Sequence, residues 1–328
     1  MCHKFHIIII LALIMGRLCT AQYTGKIRVM TYNINAEKHG SGLYTDIAEV
    51  INEIDPDIAG LQKIDSCNSR NPADVLQWLG AQTSCETAYA PAIKKYENGE
   101  GSYGIGFLCR QSPLSTRKLW IEHTGSEQDR AALQITISMG GENVRVIVTH
   151  LAHEGISYRT AQINKIISWI DSISIDDPVI IMADFNAKPT ESSMKILEAA
   201  GYGYVKGKNG EILDTSANQG INHILFRPLS RWHVAAAGNP AYKASNRNPV
   251  WADIELLKVV SIYGPEQMGK ERLGVFGVTS KSRLLNCCGH GRVTILGRAY
   301  NLAGRRCVGN LSDGIYGLGT DYSFPAIK

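Results

Sequence analysis

Six short stretches carry polar side chains at the ends of apolar runs, in an order that reads as one site assembled from separate strands. Thr31-Tyr32-Asn33 closes the first run, Leu61-Gln62-Lys63 the second and Thr149-His150-Leu151 a middle one. Ala183-Asp184-Phe185-Asn186-Ala187-Lys188-Pro189 follows a fully apolar stretch. Ile221-Asn222-His223-Ile224-Leu225 comes later, and Ser245-Asn246-Arg247-Asn248-Pro249-Val250 precedes the last run. Amides, a carboxylate and a histidine at strand ends can orient water and hydrogen-bond an anionic oxygen. A lysine and an arginine add charge-assisted donors, and arginine suits phosphate in particular.

The elements that must position these residues follow from hydrophobic patterning. Strands are expected at Ile27–Tyr32, Asp57–Gln62, Tyr103–Cys109, Pro178–Met182, Ile221–Phe226 and Pro249–Leu256. Leu133–Ser138 and Asn143–Thr149 read as a hairpin turning at Gly140-Gly141. Helices are expected at Tyr44–Asn52, Ala73–Leu79, Ser157–Ile173 and Met194–Ala200, the third with apolar Ile163, Ile166, Ile167 and Ile170 at helical spacing. Strands and helices alternating in this way, with a hairpin between, predict a mixed sheet sandwich with helices outside.

Taken in order, the six motifs resemble the endonuclease/exonuclease/phosphatase superfamily, the group of pancreatic-type deoxyribonuclease, over roughly residues 26–257. Asp-Phe-Asn-Ala is the most specific piece. The resemblance implies a four-layered α/β sandwich, two mixed β-sheets face to face with helices outside. It also implies a divalent cation, usually Mg2+, that polarises a phosphate while a His–Asp pair activates water. Carried over by motif, Asn33 is a metal-site amide, and Asp184 and Asn186 orient the attacking water and the phosphate. His150 hydrogen-bonds a phosphate oxygen, and Tyr103 and Arg130 lie near the substrate phosphates.

Four positions depart from that pattern. Lys63 stands where the family carries its main metal-ligating Glu, and an ammonium has no lone pair to give. Asn222 replaces an Asp. Asn246 and Arg247 replace the Asp and His of a Ser-Asp-His tripeptide, and a guanidinium cannot act as general base. Mg2+ needs hard oxygen ligands, so its presence here is doubtful on these residues. Lys63, Arg247, Arg130 and His150 instead read as one anion pocket. The expected function is a catalytically impaired family member that binds an anionic or phosphorylated ligand or a partner. The alternative is an active Mg2+-dependent phosphodiesterase or phosphatase acting on nucleic acid, phospholipid or a phosphorylated small molecule.

The two ends of the chain have their own character. Ile7–Met15 is an apolar run too short to span a bilayer, and Cys19-Thr20-Ala21 follows it, so residues 1–21 read as a signal peptide and the protein as secreted. Of the cysteines beyond it, Cys67 and Cys85 are a plausible local disulfide, and Cys307 can pair with Cys287 or Cys288. Buried free thiols are the competing expectation. Residues 258–328 hold 12 glycines, and their 10 basic against 4 acidic residues make a net +6. We read this segment as a small β-rich appendage able to meet nucleic acid or another anionic surface, or equally as a solvated packing extension. Asn310-Leu311-Ser312 is a glycosylation sequon. His153 and His223 read as structural or solvated, and Cys287-Cys288 with His290 lacks the second half of a metal site.

Overall fold

Twelve strands pair into two mixed, six-stranded sheets. The computed structural model describes residues 25–260 apart from 40, 41, 43, 97, 98, 124–127, 174 and 214–219, and the backbone of four short strands beyond them. The expected signal peptide, Cys307 and the sequon at Asn310 lie outside the described residues.

The first sheet contains β1 (Lys26–Asn33), β2 (Ile58–Ser66), β3 (Glu86–Ile93), β4 (Ser102–Cys109), β11 (Trp232–Gly238) and β12 (Val250–Leu256). Its strand order is β11-β12-β1-β2-β4-β3. The second contains β5 (Ser115–Ile121), β6 (Arg130–Met139), β7 (Glu142–His150), β8 (Val179–Asp184), β9 (Gly203–Tyr204) and β10 (Asn222–Arg227). Its order is β5-β6-β7-β8-β10-β9. The parallel pairs β1–β2 and β7–β8 run side by side at the two sheet centres, so their C-terminal ends open at the same end of the sandwich. Four strands that the hydrophobic pattern does not reveal, β3, β5, β9 and β11, are the four sheet edges.

Alternate strand residues fill one core between the sheets, among them Val29, Ile58, Phe107, Val148, Met182 and Ile254. The opposite faces bury helices. Over the first sheet lie α1 (Ala36–His39), α2 (Thr45–Ile54) and α3 (Val75–Thr83), with Ile47, Ile51, Leu76 and Leu79 turned inward. Over the second lie α4 (Ile156–Asp171) and α5 (Ser192–Ala199), with Ile163, Ile166, Ile170 and Leu197 turned inward. The chain is thus the expected four-layered α/β sandwich. Gly60 on β2 lets the two sheets approach at their centre, since a Cβ there would sit 3.1 Å from Val148 Cγ2 and 3.2 Å from Met182 Cβ.

After Leu257 the backbone forms short strands in two small sheets. One joins β13 (Lys258–Val260), β14 (Phe276–Val278) and β17 (Ala299–Tyr300), the other β15 (Arg283–Cys288) and β16 (Arg292–Leu296).

The expected Cys67–Cys85 disulfide does not form. Both are free thiols, as is Cys109. Cys67 follows Ser66, which pairs with Ser102 at one end of β4, whereas Cys85 precedes Glu86, which pairs with Cys109 at the other end. That length of strand is roughly 23 Å, far beyond disulfide reach.

Candidate functional site

Asp184 ends the central strand β8 with its carboxylate fully buried, and the ladders set His150 of β7 on one side of it and Asn222 of β10 on the other. Across the sandwich, β1 delivers Asn33, whose Nδ2 donates to Asp184 Oδ2 at 2.8 Å. The residue types that pattern reading placed in four separate motifs therefore meet at one point, because both sheets end there.

Each contact constrains the chemistry. Asn33 Oδ1 accepts from the Asn35 backbone N–H at 3.1 Å, so the amide oxygen is used within the protein and the amine faces the carboxylate. Asp184 Oδ1 accepts from the Asn186 N–H at 3.0 Å, a turn made possible by the left-handed φ of 49° at Asn186. Asn186 Nδ2 donates to the Leu151 carbonyl at 2.9 Å and meets His150 Nε2 at 3.1 Å. A carbonyl can only accept, so the amine is the group facing both, and His150 Nε2 must be the acceptor with its proton on Nδ1. His150 Nε2 lies 3.9 Å from Asp184 Oδ2, and Arg247 Nε lies at the same distance on another side.

Lys63 enters by a backbone irregularity. The β2–β4 register shifts between Gln62 and Ile64, leaving Lys63 as an extra residue with φ 61°. A bulge re-aims the side chain it carries, and a left-handed lysine is strained where an asparagine or glycine would not be. Gln62 anchors the bulge with Nε2 bonds to Thr31 Oγ1 at 3.0 Å and the Gly60 carbonyl at 3.2 Å.

The electrostatics of His150 integrate the surroundings. Its imidazole is held well below the ordinary 6.5, first by complete burial and then by the charges of Arg130, Lys63, His153 and Arg247. The cationic side chains among these, Arg130, Lys63 and Arg247, come from three separate segments. His153 is mostly exposed and lies 3.7 Å from Glu154.

The other expected residues are placed as follows. Arg130 is buried at the start of β6. Tyr103, at the start of β4, is buried beside Asp65 in the ladder, and its ring lies 5.4 Å under the Arg70 guanidinium. Arg70 is locked in turn by two bonds to Asp65, at 2.7 and 2.8 Å. Asn246 is exposed, whereas Ser245 beside it is buried. Ser245 Oγ donates to the Asn33 carbonyl at 2.7 Å and accepts from the Arg247 N–H at 3.2 Å. His223 is structural: its ring sits between Phe185 and Tyr204, with Nε2 3.3 Å from the Ala187 carbonyl.

Pattern reading missed Ser245, Arg70 and the pair Arg159–Glu191. A signal for the last existed. The apolar stripe of α4, extended back by one turn, lands on Arg159 and Gln162, polar residues on a buried face.

These residues do not fit a divalent cation. The position that would carry a carboxylate ligand carries an ammonium, Asn33 presents nitrogen rather than oxygen, and both Asp184 oxygens are engaged by N–H donors. Among the described residues no group of three or more His, Cys, Asp or Glu stands together as a metal site.

Residues 30–253 match the Endonuclease/Exonuclease/phosphatase family, and the chain belongs to it. Its members are typically dependent on divalent metal. The human Nocturnin catalytic domain with bound sulfate anion is similar in fold, with 20% identity, a TM-score of 0.59, and coverage of 72% of this chain and 96% of that one. An endonuclease/exonuclease/phosphatase from Beutenbergia cavernae has 16% identity and a TM-score of 0.60, covering 84% of this chain and 81% of that one. The Bacteroides thetaiotaomicron mannosyl-6-phosphatase has 16% identity and a TM-score of 0.54, covering 70% and 99%. No curated protein sequence matches the chain.

Proposed function

We propose that this protein binds a phosphorylated, anionic ligand at the strand ends around Asp184 and does not hydrolyse it by the metal-dependent route of its family. The observation that carries the reading is the cluster at Asp184, where Arg247 Nε and His150 Nε2 each lie 3.9 Å from its carboxylate while the charges of Lys63 and Arg130 also bear on His150. Two catalytic requirements find no residue here. A guanidinium offers no lone pair to act as general base, and the Nε2 lone pair of His150 is taken by Asn186. Guanidinium and ammonium groups, buried at Arg130 and half-buried at Lys63 and Arg247, are the side-chain types that hold phosphate oxygens well. Of two proteins of this fold, one is described with a bound sulfate anion and the other is called a mannosyl-6-phosphatase. At their identities they share architecture alone, so the ligand argument rests on this chain's own residues.

Calorimetric titration with inorganic phosphate, nucleotides, inositol phosphates and short DNA, with and without Mg2+, tests the proposal. Binding to a phosphorylated ligand that is unchanged by chelator is expected. Arg247→Ala should weaken it by about 10- to 100-fold, the worth of one hydrogen bond to a charged group. Absence of binding to every probe, or Mg2+-dependent turnover of a phosphate ester by the wild-type chain, would overturn it. The combined reversion Lys63→Glu, Asn222→Asp, Asn246→Asp and Arg247→His is the gain-of-function arm, and metal-dependent hydrolysis is expected only there.

We further propose that the chain is exported and that its basic C-terminal segment meets an anionic surface. Its leader-like first residues and the net +6 of residues 258–328 support this.

A further inference from the structure

We infer that Arg159 and Glu191 form a positioning clamp that holds the two loops of the anion site, one from each side of Asp184, in a single register. The inference rests on the ligand-binding reading for its significance and on geometry for its content.

One loop follows His150 and the other follows Asp184, and neither reaches the site by strand pairing. Arg159 lies in the first turn of α4 and is buried. Its Nε and one terminal nitrogen bond the two oxygens of Glu191, both at 2.7 Å. Its other terminal nitrogen donates to the carbonyls of Ala152 at 3.0 Å and His153 at 3.2 Å. Glu191 immediately precedes α5 and receives the Ser193 hydroxyl as well. One guanidinium therefore ties the backbone two and three residues beyond His150 to the loop that carries Asp184 and Asn186. Gln162, one turn further along α4, accepts from the Ala152 N–H at 2.9 Å and so holds the same residue by its other backbone group.

The loops then meet at the site itself. The Leu151 N–H donates to the Asp184 carbonyl at 3.1 Å, and Asn186 Nδ2 bridges the Leu151 carbonyl and His150 Nε2. If the clamp slackens, the Asn186 bridge is the contact that moves, because it spans both loops. Arginine is required for geometric reasons. Only a planar fork can engage a carboxylate with two parallel bonds while a third nitrogen serves two carbonyls, and lysine has neither the plane nor the reach.

The test uses the full chain and three variants. The paired change Arg159→Met with Glu191→Met removes both buried charges at once, a replacement that often preserves stability. Arg159→Lys and Glu191→Gln each break the fork with less change of volume. Nitrogen-detected NMR of His150 reports which ring nitrogen carries the proton, without any ligand. The wild type is expected as a single Nδ1–H form and the folded variants as a mixture of tautomers. Affinity for inorganic phosphate should fall by about tenfold, as when a binding group is displaced by a fraction of an ångström. Folded variants that keep both the single tautomer and wild-type affinity would overturn the clamp. If the paired variant does not fold, Arg159→Lys carries the same two readouts. A wild type that binds no phosphate would remove the ligand-binding reading, and the tautomer measurement would still decide on the clamp.

Discussion

Asn186 spends both amide hydrogens inside the protein, one on the Leu151 carbonyl and one on His150 Nε2, and this decides what the imidazole can do. A histidine whose lone pair is occupied and whose ring is surrounded by cations neither takes a proton from water nor carries charge of its own. Burial and those cations hold His150 well below 6.5, and burial holds His39 down as well. The unfolded chain therefore binds these protons at a higher pH than the folded one. Their contribution to stability is complete above about pH 6.5 and is lost as pH falls toward the folded midpoints. Thermal melts should be nearly level above pH 7 and decline between pH 6.5 and 5, with a shallower decline in His150→Gln. Asp253, held below its usual range by hydrogen bonds from Arg28, gives up its share only at lower pH. A melting temperature that does not change from pH 7 to 5 would contradict this assignment.

At the scale of elements, the site is a product of how closely two sheets approach. Asn33 reaches Asp184 from the opposite sheet where Gly60, on the neighbouring strand β2, leaves no side chain at that one level between β2 and the β7–β8 pair. Gly60→Val forces Val148 and Met182 apart in a fully packed core. It is expected to cost about 1–3 kcal/mol, read as a lower denaturation midpoint. Phosphate affinity should fall with it, because the Asn33–Asp184 bond lengthens when the sheets separate. The edges obey a different logic. β3 contains Pro91, β5 alternates exposed polar residues with only Leu119 and Ile121 turned to the helix-side core, β9 is two residues long, and β11 carries Ala235-Ala236-Ala237 across a bulge. Short, polar or proline-bearing edges resist pairing with other chains, and the same qualities hide them from a hydrophobic count.

For the whole molecule, charge is divided unevenly. The net +6 of residues 258–328 leaves residues 22–257 slightly acidic outside their cationic pocket. If the tail meets an anionic surface, deletion of residues 258–328 should abolish retention on heparin at physiological salt while leaving phosphate binding by the larger domain intact. Wild-type retention should fall steeply with salt, as screening requires. Equal elution of the full and truncated chains would remove that role. Among the described residues no helix is long and apolar enough to cross a membrane.

Much about this protein is one-dimensional and was readable as such. The order of six motifs implies the sandwich, because each motif ends a strand whose apolar run is itself visible. Lys63 in place of a carboxylate and Arg247 in place of a base are facts of residue identity, and their chemistry does not depend on the fold. The tertiary structure alone decided which atoms meet. It turned the Asn33 amide so that nitrogen faces Asp184, directed Asn246 to solvent and Ser245 inward, and closed the His150 lone pair. It separated Cys67 from Cys85 by a strand's length, and it brought Arg159 to Glu191 across 32 residues of chain. The physical reason is common to all of these. A hydrogen bond reports a distance of about 3 Å between groups on separate strands and loops, and that distance is set by sheet packing, which no local pattern of residues encodes.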